Sequence, residues 1–250
     1  MRLDVVFSPQ ELTPGEVTDR TVVVVDVLRA TTTICAALHH GARAVIPAAD
    51  TAEATRLAQA LGSPDVLLAG ERNSLRIPGF QLGNSPLEMT PDMVGGKTLV
   101  MTTTNSTAAL LATAGARMVI IGAAVNLTVA GDRAREALES DGDLLILCAG
   151  REHGFGLDDA YVAGCYAVRA LGGRRRRKGL NDSALVSVDL VSRYRDRIGR
   201  VLMLSHAGRQ SVANGFRDDV HAAAAVDAHP VLPLFHERRV ALAGEGQRQP

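Results

Sequence analysis

Nine side chains carry most of the chemistry this sequence could do: Asp26, Arg29, Glu71, Arg72, Asn84, Ser85, Thr104, Asn105 and Asp159. They stand where apolar runs end, or in a loop rich in glycine and proline. Carboxylates among hydroxyl and amide oxygens suit a hard cation such as Mg2+. Arginines and helix amino termini beside them suit a phosphate, sulfonate or carboxylate group. Metal-assisted hydrolysis of a small anionic phosphate ester needs that combination, because fixed positive groups must take up charge as it develops. Asp26 and Glu71 are the expected metal ligands, since each ends an apolar strand beside an arginine. Asp26, Arg29, Asn105 and Asp159 are the candidate catalytic groups. Arg29, Thr31, Arg72, Asn84, Ser85, Thr104 and Asn105 are the candidate substrate contacts.

The elements that must position these groups are legible from hydrophobic pattern. Thr21 to Val25 is a β-branched run with no polar alternation, the pattern of a strand buried on both faces of a parallel sheet. Asp26, Arg29 and Thr31 to Thr33 follow it, and then a helix stopped by Gly41. This is the junction of strand end and helix start where open α/β sheets bind ligands. Further strands are expected at Leu3–Phe7, Ala44–Pro47, Val66–Ala69, Thr98–Met101 and Asp143–Gly150, the last ending in a turn. Helices are expected at Thr51–Leu61, Ala108–Thr113, Asn126–Glu139, Ala160–Leu171 and Ser183–Tyr194. Residues 73–91 lack either period and read as a functional loop. Ser205 to Arg209 reads as a turn. The fold class is therefore α/β, three-layer α/β/α with a mostly parallel sheet. Residues 1–243 read as a single domain, and 244–250 as a disordered tail. An internal βα repeat is suggested by Thr33, Gly41-Ala42-Arg43 and Val45-Ile46 matching Thr107, Gly115-Ala116-Arg117 and Val119-Ile120.

Composition narrows the partners. Lys+Arg and Asp+Glu are 27 each, so no global field recruits nucleic acid or a membrane surface. Aromatics are scarce and Trp is absent, which argues against base stacking. The basic run at 174–178 lacks aromatic interleaving and reads as a solvated loop. Cys35, Cys148 and Cys165 lie in apolar segments and suit a reducing compartment. No apolar run reaches membrane-spanning length. A soluble, cytoplasmic protein is expected, with a homodimer left open. The motifs of P-loop nucleotide binding, zinc peptidases and the G-x-S-x-G elbow are absent. Cys148 with nearby His153 invites a thiol-nucleophile reading, but a cysteine ending an apolar strand is mostly structural. His39-His40 reads as surface. A haloacid-dehalogenase-type phosphatase with Asp26 as nucleophile would want an acid and a threonine where Leu28 and Ala30 stand. An anion-binding module without turnover is the non-enzymatic alternative.

The motifs V-V-V-D-V-L-R-A-T-T-T-I, G-E-R with G-F-x-x-G-N-S-P, T-T-N-x-T, and C-A-G with L-D-D resemble the 2-phosphosulfolactate phosphatase family. They span residue 21 to about 165, and Ser205 to Pro233 fits more loosely. The resemblance implies a three-layer α/β protein that hydrolyses (R)-2-phospho-3-sulfolactate to 3-sulfolactate and phosphate with Mg2+. It also implies a place in coenzyme M biosynthesis. Three positions depart from the pattern. Ser106 stands for Gly in T-T-N-G-T, where a positive φ would strain it. Gln81 stands for an acid, and Asp158 for Glu.

Overall fold

The computed structural model describes residues 1–151, 154–172 and 177–244. The chain begins with β1 (Arg2–Val6), β2 (Thr21–Val25), α1 (Ala30–His39), β3 (Ala44–Pro47) and α2 (Thr51–Leu61). It continues through β4 (Val66–Arg72), β5 (Leu75–Arg76), α3 (Pro91–Val94), β6 (Thr98–Thr102), α4 (Ser106–Leu111) and β7 (Met118–Gly122). α5 (Leu127–Asp141), β8 (Asp143–Cys148), α6 (Leu157–Ala170) and α7 (Asp182–Tyr194) follow. The last part holds α8 (Ile198–Leu204), α9 (His206–Ala213), α10 (Arg217–Ala223), β9 (Pro233–His236) and β10 (Arg239–Leu242).

The strands form one ten-stranded sheet in the order β1-β8-β2-β7-β9-β10-β3-β6-β4-β5. β1, β8, β2 and β7 pair in parallel, and so do β3, β6 and β4. The hairpin β9–β10 sits between these halves and pairs antiparallel with β7 and β3, through one residue pair at each border. A flat sheet with that strand sense would send the carboxyl ends of the two halves to opposite edges. Both ends meet at one crevice instead, so the sheet must twist strongly through the seam, and the short ladders permit it.

The β2 valines are fully buried, as a strand covered on both faces requires. Val23 and Val25 pack with α5 and α6, while Val22 and Val24 pack with α1 and with Val45, Leu99 and Met101 from the other half. α1 is buried on every side from Ala30 to Leu38, the mark of a core helix. α2 covers the outer side of the second half. Asp4 and Asp143 flank the buried Arg20, at 3.0 and 2.5 Å, and tie the start of β1 to that of β8.

Several expectations change. The 205–209 segment is not a turn: Ser205 caps α9, which begins at His206, and α8, α10, β9 and β10 are additional elements. Residues 73–91 remain mostly irregular, though they include β5. Ser106 takes no positive φ; it is the first residue of α4, so the strain expected there is absent. The two strand–helix–strand copies share their element order and left-handed Gly41 and Gly115, but their helices have ten and six residues. That likeness does not establish a duplication. Residues 174–176 of the basic run and 245–250 of the tail lie outside the described residues. Arg177 pairs with Asp189 at 3.2 Å.

Candidate active site

The turn after β2 is fastened by its own threonines. The Thr31 hydroxyl donates to the Asp26 carbonyl (2.9 Å) and accepts from the Asp26 N–H (3.2 Å). Thr32 donates to the Val27 carbonyl at 2.8 Å, and Thr33 to the Asn84 carbonyl at 3.1 Å. With their hydroxyls used in this way, the threonines stay off the crevice and the Asp26 carboxylate faces it. Arg29 also faces it, but it is held firmly. Its Nη1 donates to Asp219 Oδ2 (2.7 Å), its Nη2 to the Ser74 carbonyl (2.7 Å), and its guanidinium lies 4.1 Å from the centre of the Phe216 ring.

Glu71 arrives from the other half of the sheet. Gly70 precedes it at φ +151°, and a Cβ there would stand 2.2 Å from the Thr102 carbonyl. Only glycine lets β4 approach β6 so closely. Glu71 Oε1 accepts from the Thr104 N–H and hydroxyl, both at 2.8 Å, and Oε2 accepts from the Ser74 N–H at 2.8 Å. These bonds draw the turn after β6, with Thr104 and Asn105, against the turn after β4. Asn84 lines the same space, and its buried Oδ1 has no partner.

The third contribution comes from the start of α6. Asp159 Oδ1 accepts from the Val27 N–H at 2.9 Å and so locks the Asp26 turn to this helix. Asp158 beside it is also buried. Burial pushes Asp26 up to about 7, helped by repulsion from Asp158 and Glu71 and opposed by the Ala30 N–H and Arg29. Burial likewise raises Asp158 to about 6, against nearby N–H groups, Arg151 and Ser205. Asp159 is pushed well above the usual carboxylate range by burial and by Asp158 and Asp26.

The crevice between these turns has a volume of about 390 Å3. It brings together Asp26, Arg29, Glu71, Asn84, Thr104, Asn105 and Asp159 from the sequence-based set. Thr31, Arg72 and Ser85 stand behind its wall. Arg72 donates to the Glu71 carbonyl (2.7 Å) and to Thr102 Oγ1 (2.9 Å), and Ser85 to Asp219 Oδ1 (2.7 Å). Arg151, from the turn after β8, and Ser205, His206, Arg209 and Gln210, from the start of α9, also line the crevice and were not singled out from the sequence. Cys148 is buried, its thiol raised well above the usual range by burial, as a structural cysteine would be. His153 lies outside the described residues.

A sequence model of the 2-phosphosulpholactate phosphatase family matches residues 6–238. The chain belongs to this family. A protein of Symbiobacterium thermophilum named probable 2-phosphosulfolactate phosphatase is 40% identical, over 91% of this chain and 96% of its own. Proteins of the same name from Clostridium novyi and Carboxydothermus hydrogenoformans are each 35% identical, over 96% and 99% of this chain and 99% of their own. The 2-phosphosulfolactate phosphatases are phosphoric monoester hydrolases. Among the described residues, no helix is long and apolar enough to cross a membrane.

The donor set fits a hard divalent cation. Asp26, Glu71, Asp158 and Asp159 are buried together, and their mutual repulsion is what a cation would relieve. No three of them converge as a tight cage among the described residues. Mg2+ does not need one, since it usually takes one or two carboxylates and completes its shell with water and substrate phosphate.

Proposed function

We propose that this chain is a Mg2+-dependent phosphatase that hydrolyses (R)-2-phospho-3-sulfolactate to 3-sulfolactate and phosphate. The observation that carries the reading is one crevice lined by four buried carboxylates together with Arg29, Arg151 and Arg209. Asp26 and Glu71 are the groups that would hold the cation, Glu71 being fixed by three donors and Asp26 by its turn. Mg2+ bound there would draw charge from the phosphoryl oxygens and orient the attacking group.

The protein's own groups do the rest. The arginines and the Asn84 and Asn105 amides bind the acidic groups of the substrate, as donors around planar and tetrahedral heads. Asp159, whose proton affinity burial and the neighbouring Asp158 and Asp26 raise, is the group placed to give a proton to the leaving alkoxide. The names of the relatives favour the sulfonate substrate. A cytoplasmic enzyme in a sulfonate-forming pathway such as that of coenzyme M is the setting this reading implies.

Phosphate release from phosphosulfolactate, phospholactate and phosphoglycerate, each with Mg2+ and with a chelator, tests the reading. Phosphosulfolactate should be cleaved fastest, and only with Mg2+. A lost charged head group should cost roughly 1.5–3 kcal/mol of transition-state binding. Equal turnover of all three would remove the sulfonate assignment, and release from none would remove the phosphatase reading.

A further inference from the structure

The carboxyl end of α1 carries a second cluster, at the opposite end of the helix from the crevice. His39 ends the helix, His40 caps it, and His229 approaches from the segment between α10 and β9. The three ring centroids lie 4.9 to 5.4 Å apart. A nitrogen from each ring lies within 4.8 Å of the other two, the one such trio of potential metal ligands among the described residues.

From this geometry we infer that His39, His40 and His229 form a binding site for a borderline divalent transition ion such as Zn2+. Imidazole is the ligand such ions favour over Mg2+, which prefers oxygen. Three nitrogens at about 2.0–2.1 Å from a tetrahedral Zn2+ stand about 3.4 Å apart, leaving a fourth position for water. The exposed His39 ring can turn to close the remaining gap. His229 Nδ1 is buried and has no hydrogen-bond partner, although His229 is otherwise fixed by its N–H on the Val125 carbonyl at 2.8 Å. A lone pair buried without a partner is costly, and a metal would satisfy it. His40 Nδ1 contacts the Met89 carbonyl, which fixes the tautomer that leaves Nε2 free to ligate. The partial negative charge at the helix end adds to the attraction for a cation.

The site would fasten three segments: α1, the loop carrying Met89, and the segment after α10. A ten-residue helix spans about 15 Å, so the ion would lie well away from the reacting groups. Its role would be structural, with hydrolysis left to the crevice.

The test uses chelator-stripped full-length protein, in saturating Mg2+ to occupy the carboxylate crevice. Zn2+ is titrated by calorimetry, and Co2+ is followed through the visible bands of a low-symmetry, nitrogen-ligated ion. One Zn2+ per chain should bind and raise the unfolding temperature. His39→Ala, at an exposed position that folding does not need, and His229→Ala should each weaken that binding. The loss should exceed the roughly 10–100-fold that follows loss of an outer partner. Both variants should keep Mg2+-dependent phosphate release within about twofold of the parent, since a histidine site remote from the crevice takes no part in the chemistry. Absence of Zn2+ binding by the parent, or equal binding by parent and either variant, would overturn the site.

Discussion

Asp26 is a carboxylate that its surroundings disfavour. Its folded value of about 7 lies above the ordinary 3.8, so the folded chain binds more protons than the unfolded one between those values. The contribution of Asp26 to the stability of the metal-free protein should therefore fall as pH rises from about 4 to about 7. Asp26→Asn should remove that loss. In chelator at pH 8 it should unfold later than the parent by at least about 1 kcal/mol, or about 2–4 °C, and at pH 4 the two should coincide. Thermal unfolding at the two pH values decides it, and a variant no more stable at pH 8 would mean that Asp26 is comfortably ionised. Arg29→Lys should lower kcat/KM by at least about tenfold, or about 1.4 kcal/mol, because a point charge cannot serve Asp219 and the Ser74 carbonyl as a fork does. Parent-like kinetics would place Arg29 outside the working site. Asp26 and Arg29 were legible because they end an unbroken valine run. Asp219 was not, because its partner stands 190 positions away in the sequence and its own short helix gives no sign of the pairing.

At the scale of elements, the site depends on how closely β4 runs beside β6. Gly70→Ala would drive a methyl into the Thr102 carbonyl, part the strands and shift Glu71 from its three donors. We expect a loss of about 1–3 kcal/mol in stability, read by denaturant unfolding, together with a fall in Mg2+-stimulated turnover. Unchanged unfolding would show that the strands absorb the methyl freely. The long helices and buried strands were readable because their apolar periods persist over many residues. α8, α9 and α10 have seven, eight and seven residues, too few for a period to stand out. The β9–β10 hairpin turns at Glu237 and Arg238, both at positive φ (48° and 60°). Asn-Gly is the usual signal for such a turn, and Glu-Arg gives none.

For the whole molecule, the decisive feature is the convergence of two parallel half-sheets on one crevice through a narrow hairpin seam. β2 and β8 bring Asp26 and the turn before α6 from one half, while β4 and β6 bring Glu71 and Thr104 from the other. The polar residues of each half could be read locally, but the seam that joins them could not, since it pairs the last strands with Val45 and Ile120 far earlier in the chain. With positive and negative side chains equal in number, attraction for an anionic ester must come from local charge in the crevice, its arginines among it, rather than from net charge. The most direct test is the initial rate of phosphate release from (R)-2-phospho-3-sulfolactate by the parent and by Asp26→Asn, with Mg2+ and with chelator. The parent should release phosphate with Mg2+ alone, and the folded variant should lose at least about a thousandfold in rate, or about 4 kcal/mol. Release by the parent that ignores Mg2+, or a folded Asp26→Asn that turns over like the parent, would contradict that expectation.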